Sequence, residues 1–176
     1  AGIHPKEIEK RLDLREEPIF TIDGADTKDI DDAISLKKTE TGWALGVHIA
    51  DVSHYVTPAT PLDKCAFARG TSVYYADSVI PMLPKELSNG ICSLNPQEDR
   101  LAFSALMELD EKGELKHYRF AKTVIRSRVK GVYKEVNQIL DGSADEAILA
   151  KYDGLIDTIR EMDRLADIRI AAHHGR

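Results

Sequence analysis

Phe20-Thr21-Ile22-Asp23-Gly24-Ala25-Asp26-Thr27-Lys28-Asp29-Ile30-Asp31-Asp32-Ala33 places five aspartates within ten residues, between two short apolar runs. Carboxylates this close repel one another, and folding them together destabilises a chain unless positive charge sits among them. Lys28 is the one basic residue inside the stretch, which is too little for five acids. A hard divalent cation is the simplest partner. The stretch therefore reads as an oxygen-ligand metal site, and the rest of the chain as the frame that holds it.

The flanks supply that frame. Ile19 to Ile22 predicts a strand that delivers Asp23 at its end, and Gly24 permits a tight turn. Asp31 to Lys37 resumes as a strand, Thr39–Gly42 turns, and Trp43 to Ala50 returns. In the return strand Trp43, Leu45, Val47 and Ile49 alternate with Ala44, Gly46 and His48, a period of two. His48 then falls on the polar face of the sheet. Asp29 and Asp31, two apart, would share one face of a strand and Asp32 the other.

Before this hairpin, residues 6–17 read as a short charged surface helix stopped by Pro18. After it, Asp51–Thr60 reads as a loop, Pro61–Ala68 as a helix closed by Gly70, and Thr71–Tyr75 as a short strand. Residues 80–96, with three prolines and a glycine, predict a shaped loop. Leu101–Leu109 and Leu115–Arg128 form a second hairpin. Val132–Leu140 is a helix ended at Asp141-Gly142, and apolar residues from 148 to 170 at spacings of three and four predict one helix of about 28 residues, roughly 40 Å long. The sum is an α+β domain: an antiparallel or mixed sheet flanked by helices, with a long C-terminal helix.

With 43% hydrophobic and 31% charged residues, the chain has the make-up of a soluble globular domain. Its net charge of −6 argues against a general polyanion binder. Leu115–Lys134 nevertheless carries seven Lys/Arg and no acid, a strand face open either to an RNA backbone or to solvent and the acidic Asp141–Asp167 segment. Cys65 and Cys92 make no framework, which points to a reducing, cytoplasmic setting. There is no apolar run of membrane-spanning length. The opening Ala-Gly-Ile-His-Pro and the closing Ala-Ala-His-His-Gly-Arg give the expectation of a piece cut from something longer. His54, His173 and His174 show no metal spacing with the cysteines, and Asp51 reads as a turn residue. Arg100 suits a phosphate contact or an internal salt bridge.

Carboxylates converging from two strand ends suit Mg²⁺, with waters and substrate phosphates completing its octahedron. Two such ions, about 3.5–4 Å apart, clamp the attacking and leaving oxygens of a phosphodiester displacement. An EF-hand loop beginning at Asp23 fails, because Ala25, Thr27 and Lys28 stand where ligands and a glycine are required. Asp29-Ile30-Asp31 also forms the bare DxD of nucleotide-sugar transferases, and a solvated acidic turn is the bland alternative.

The run Thr21–Ala33 closely resembles the signature of the ribonuclease II/R (RNB) exoribonuclease family. The resemblance continues through Val47–Ser53, Arg69–Tyr74, Ile80–Pro84, Leu87–Pro96 and Asp99–Leu101, and Gly24 with Ser88-Asn89-Gly90-Ile91-Cys92 sets the chain closer to the ribonuclease R branch. It implies that residues 1–176 are the N-terminal portion of an RNB catalytic domain, without the flanking OB-type domains. It further implies a magnesium site at Asp23, Asp29, Asp31 and Asp32. Asp23 and Asp32 would bind the main ion, Asp31 would be essential for catalysis through a second ion, and Asp29 would support the site. Mn²⁺ is a possible substitute. Tyr74, or its neighbour Tyr75, would stack on the 3′-terminal nucleotide. The implied activity is processive 3′→5′ hydrolysis of single-stranded RNA to nucleoside 5′-monophosphates by a monomeric parent protein. An arginine and a glutamate of the family's site lie in a later part of the domain. The isolated chain is thus expected to bind metal and RNA with little or no turnover.

Overall fold

The computed structural model describes residues 3–76 and 78–174, with side chains to residue 172; the side chains of His173 and His174 and the whole of Arg176 lie outside the described residues. In chain order the elements are α1 (Pro5–Ile8), β1 (Leu12–Asp13), β2 (Thr21–Asp23), β3 (Asp32–Thr39), β4 (Gly42–Ala50), α2 (Pro61–Arg69), β5 (Val73–Tyr74), β6 (Val79–Ile80), β7 (Asp99–Asp110), β8 (Leu115–Arg126), β9 (Lys130–Val132), α3 (Tyr133–Asp141), α4 (Glu146–Lys151) and α5 (Ile156–His174). Strands β3, β4, β7 and β8 form an antiparallel meander, and β1 extends it by pairing parallel to β8, giving the order β1-β8-β7-β4-β3. Strand β2 stands apart: it pairs parallel with β9 and touches the main sheet through a bridge between Phe20 and Ile34. The fold is the expected α+β arrangement with a mixed sheet.

Apolar side chains cover one face of the sheet at its acid-loop end and the other face at its far end. Ala33, Ala50 and Ala102 share one face, and their small size admits Ile19, Ile30 and Leu94 above them with Ile125. On the opposite face Leu36, Trp43 and Leu109 meet Leu165 of α5, and the Trp43 indole N–H donates to Glu161 at 3.0 Å. A third group joins Phe20 to Val136 and Ile139 of α3, Tyr152, and Leu155 and Ile159 near and on α5. Gly42, at φ 152°, allows the close approach of β4 to β7, since a Cβ there would lie 1.9 Å from the Leu109 carbonyl oxygen.

Three expectations change. The helix over residues 6–17 is a single turn, because Arg11 leaves it for the interior. Its guanidinium meets Asp51 at 2.7 Å and the carbonyls of Ala102 and Thr123 at 3.3 and 3.4 Å, after which Leu12 pairs with Thr123. The 28-residue helix is broken at Gly154, which takes φ 76°. Tyr152 is fully buried there, its hydroxyl accepting from the Val132 N–H at 2.9 Å and donating to Glu135 at 2.6 Å, so the chain turns around it. His48, expected on a polar outer face, is buried, whereas Ile49 is 46% exposed. The layer formed by Ile19, Ile30 and Leu94 covers the face that carries His48, whereas α5 and the Phe20 group cover the Ile49 side farther along, at Ile34 and Leu36.

Candidate metal centre

Asp23 ends β2 and Asp32 opens β3, so the two acids come from strand ends as anticipated. Asp29 and Asp31 do not share a strand face; both lie in the irregular segment between. That segment is held by groups from elsewhere in the chain. Thr27 N–H closes a turn onto the Gly24 carbonyl at 3.2 Å. The buried Ser93 hydroxyl donates to the Lys28 carbonyl at 2.8 Å and accepts from Ile30 N–H at 3.1 Å. Leu94 N–H donates to the Ile30 carbonyl, and Ala50 N–H to the Asp31 carbonyl, each at 2.9 Å. With Ile30 sunk in the core, the acids on either side of it face outward.

The electrostatics match a like-charge cluster. Burial, followed by repulsion from Asp32, holds the Asp23 carboxyl above its ordinary range. Asp31 is also raised, by the protein atoms around it and then by Asp29, Asp32 and Asp23. One oxygen of Asp23, Oδ2, is buried without a hydrogen-bond partner. An ionised oxygen left so costs several kcal/mol unless a cation meets it. A hard dication fits this donor set, which is all carboxylate oxygen. Among the described residues no group of three or more acidic, His or Cys side chains stands close enough together to hold a metal ion; what links the four acids is their place along one loop, from the end of β2 to the start of β3.

Tyr74, on β5, reaches the row directly, its hydroxyl donating to Asp29 Oδ2 at 2.9 Å. Its ring is 64% exposed. Asp29, Asp31 and Tyr74 line a cleft of about 380 Å³ with Ile49, Met82 and Leu83. Tyr75 lies outside that cleft, in an adjoining groove of about 760 Å³ formed with Gly24–Asp29. The cleft thus offers acids at one side, an apolar wall, and an aromatic ring tied to the acids.

The remaining candidates have structural partners. Asp51 is pushed up by burial, but Arg11 and Ser53 outweigh this and leave its carboxyl below the ordinary range. Arg100 donates to the Ser93 and Gly90 carbonyls and pairs with Glu98, bracing the loop that carries Ser93. In the basic stretch Lys116 pairs with Asp110 and Arg126 with Asp99, both acids of β7, while Lys122 lies 3.9 Å from Asp51, just past the end of β4. Two contributors escaped the sequence reading. Ser93 looked like one more residue of a shaped loop. Lys130 looked like one base in a row of seven, yet its ammonium donates to the carbonyls of Ala25 at 3.0 Å and Thr27 at 2.6 Å.

The RNB domain family matches residues 11–175. Ribonuclease R 1 of Lactococcus lactis is 51% identical over 171 residues, which cover 97% of this chain and 21% of that protein. Ribonuclease R of Thermotoga maritima is 47% identical over 177 residues, 100% of this chain and 24% of that protein. The chain therefore spans about a fifth to a quarter of the length of these relatives. Among solved structures, Mycoplasma genitalium RNase R in complex with double-stranded RNA superposes with a TM-score of 0.79 at 31% identity, covering 93% of this chain and 31% of that one. Yeast Ssd1, a pseudonuclease, shares the fold at a TM-score of 0.74 and 18% identity, covering 94% of this chain and 20% of that one. With the family matched over nearly its whole length, the chain belongs to the RNB domain family.

Proposed function

We propose that this chain is the N-terminal, metal-holding portion of an RNB catalytic domain that degrades single-stranded RNA processively from its 3′ end to nucleoside 5′-monophosphates. Asp23 and Asp32 hold the main Mg²⁺, Asp29 supports it, and Asp31 serves catalysis, with a second ion and substitution by Mn²⁺ compatible with the same carboxylates. The single observation that carries the reading is the buried, unpartnered Asp23 Oδ2 in a loop where burial and then mutual repulsion raise the carboxyls of Asp23 and Asp31. Two RNase R structures from Mycoplasma genitalium contain RNA, one double-stranded and one single-stranded, which supports RNA as the partner here.

When bound, Mg²⁺ supplies charge neutralisation at the scissile phosphate and makes water a competent nucleophile. The chain's own contribution is placement. Ser93 and the Ile30 anchor keep Asp29 and Asp31 outward at the cleft, and Tyr74 offers a ring for the terminal base while its hydroxyl stays on Asp29. Stacking is indifferent to base identity, so sequence preference is slight. The setting is cytoplasmic, and among the described residues no helix is long and apolar enough to cross a membrane.

Calorimetric titration of this chain with Mg²⁺ tests the proposal. Binding is expected, Asp31→Asn should weaken it, and these residues alone should turn over labelled RNA slowly or not at all. In a complete RNB domain carrying this segment, Asp31→Asn should abolish cleavage and spare RNA binding. A wild-type chain indifferent to Mg²⁺ and Mn²⁺, or a complete domain that still cuts with Asn at position 31, would overturn the assignment.

A further inference from the structure

The acid row needs positive charge, and the structure supplies one from more than a hundred residues away. Lys130 lies on β9, where it pairs in register with Thr21, two residues before Asp23 on β2. The ammonium therefore projects beneath the turn that follows Asp23 and takes the carbonyls of Ala25 and Thr27. Gly131 makes this approach possible. A Cβ there would stand 2.2 Å from the Thr21 carbonyl oxygen, so any side chain would drive β9 off β2 and carry Lys130 away from the loop.

We propose that Lys130 is a positioning residue for the metal centre: by clamping two carbonyls of the Gly24–Lys28 segment, it holds the acidic loop in the shape that presents its carboxylates. This rests on the metal-site reading above. The clamp works on backbone, so it fixes the path between Asp23 and Asp29 without occupying a carboxylate oxygen that a cation needs. The Ser93 anchor fixes the next stretch, Lys28–Ile30. Between them the two anchors leave little of the loop to be ordered when metal arrives, and that ordering would otherwise be charged against affinity.

Two physical effects of Lys130 on metal affinity have opposite signs, which makes the inference decidable. As a bare charge near Asp23, Lys130 competes with a cation, and its removal would tighten binding. As a clamp, its removal loosens the loop and weakens binding. Calorimetry with Mg²⁺ as the probe, on the full 176-residue chain, should show Lys130→Met weakening affinity by about tenfold or more, in the range of outer-shell substitutions at metal sites. Lys130→Arg, which can reach the same carbonyls, should restore most of the loss. Metal-free hydrogen exchange provides the second readout. In Lys130→Met the Thr27 and Ile30 amides should exchange at least several-fold faster, while amides of the β4–β7 ladder hold their rates. Unchanged or tighter Mg²⁺ binding in Lys130→Met overturns the proposal, as does unaltered loop exchange. A wild-type chain that takes no metal sinks the metal reading, and the exchange experiment then decides the clamp by itself.

Discussion

His48 has hydroxyls at both ring nitrogens, Ser35 at 3.0 Å from Nε2 and Ser104 at 2.7 Å from Nδ1. Thr123 Oγ1 donates to the Ala102 carbonyl and so accepts from Ser104, which in turn accepts from His48 Nδ1–H. This order leaves Nε2 as the acceptor from Ser35 and the ring neutral. Gly46 keeps the space open, since a Cβ would come within 2.4 Å of Ser35 Oγ and 2.7 Å of His48 Nε2. Burial pushes the imidazole down to about 4. Above about pH 7 the ring is neutral in both folded and unfolded chains and contributes no pH dependence. As pH falls from 6.5 towards 4 the unfolded chain takes up the proton and the folded one does not, so stability drops, by up to about 3 kcal/mol. Urea unfolding across that window, for wild type and His48→Gln, should show a steeper acid loss in wild type; parallel profiles would contradict the tautomer and burial argument. The period-two pattern placed His48 correctly opposite Trp43 and Ile49, but which face is covered depends on Ile19, Ile30 and Leu94, and no local pattern carries that.

The two-stranded piece β5–β6 is the element that decides which tyrosine matters. Val73 pairs with Ile80 and Tyr74 with Val79, and Arg69 at the end of α2 ties down the far strand through the Pro81 carbonyl at 2.6 Å. Held this way, Tyr74 bonds Asp29 and lines both the cleft and the adjoining groove, whereas Tyr75 lines the groove alone. Tyr74→Ala should therefore weaken capture of a single-stranded RNA 3′ end by about 1–3 kcal/mol, the worth of one base stacked on a ring, whereas Tyr75→Ala should leave it nearly unchanged. Fluorescence anisotropy with a short labelled RNA reads both; equal losses would mean that the hairpin and not the ring carries the effect. Elements built from local signals were legible beforehand. The β3–β4 hairpin, α2 with its Thr60 cap and left-handed Gly70, and α3 closed by Gly142 all stand where periodicity and turn residues put them. Strand β6 was missed because only two of its residues pair. The break before α5 was missed because regular apolar spacing ran straight through Gly154.

Across the whole molecule, what the sequence concealed is long-range pairing between charges. Arg11 and Asp51 are both buried, and with Glu7 on the Arg11 Nε they pin the N-terminal segment against β7 and β8. Removing one member strands the other in the interior, so Arg11→Met should destabilise the chain by about 3–5 kcal/mol, and pairing it with Asp51→Leu should recover a good part. Chemical denaturation of the single and double variants checks this, and a double variant no more stable than the single would show that the pair is not what fixes the segment. The acid row itself was visible at once, and so was its need for a cation. Its anchors were not, because Lys130 and Ser93 lie far from the row along the chain and resemble their neighbours in composition. The pairing of β2 with β9 also sets an order of events during synthesis. Thr21 waits about 110 residues for Lys130, which at ribosomal speeds is roughly 5–20 s. The meander from β3 to β8 is made in full before β9 emerges. A nascent chain therefore carries its aspartates unshaped until β9 has been made, and the loop is fixed only after the meander.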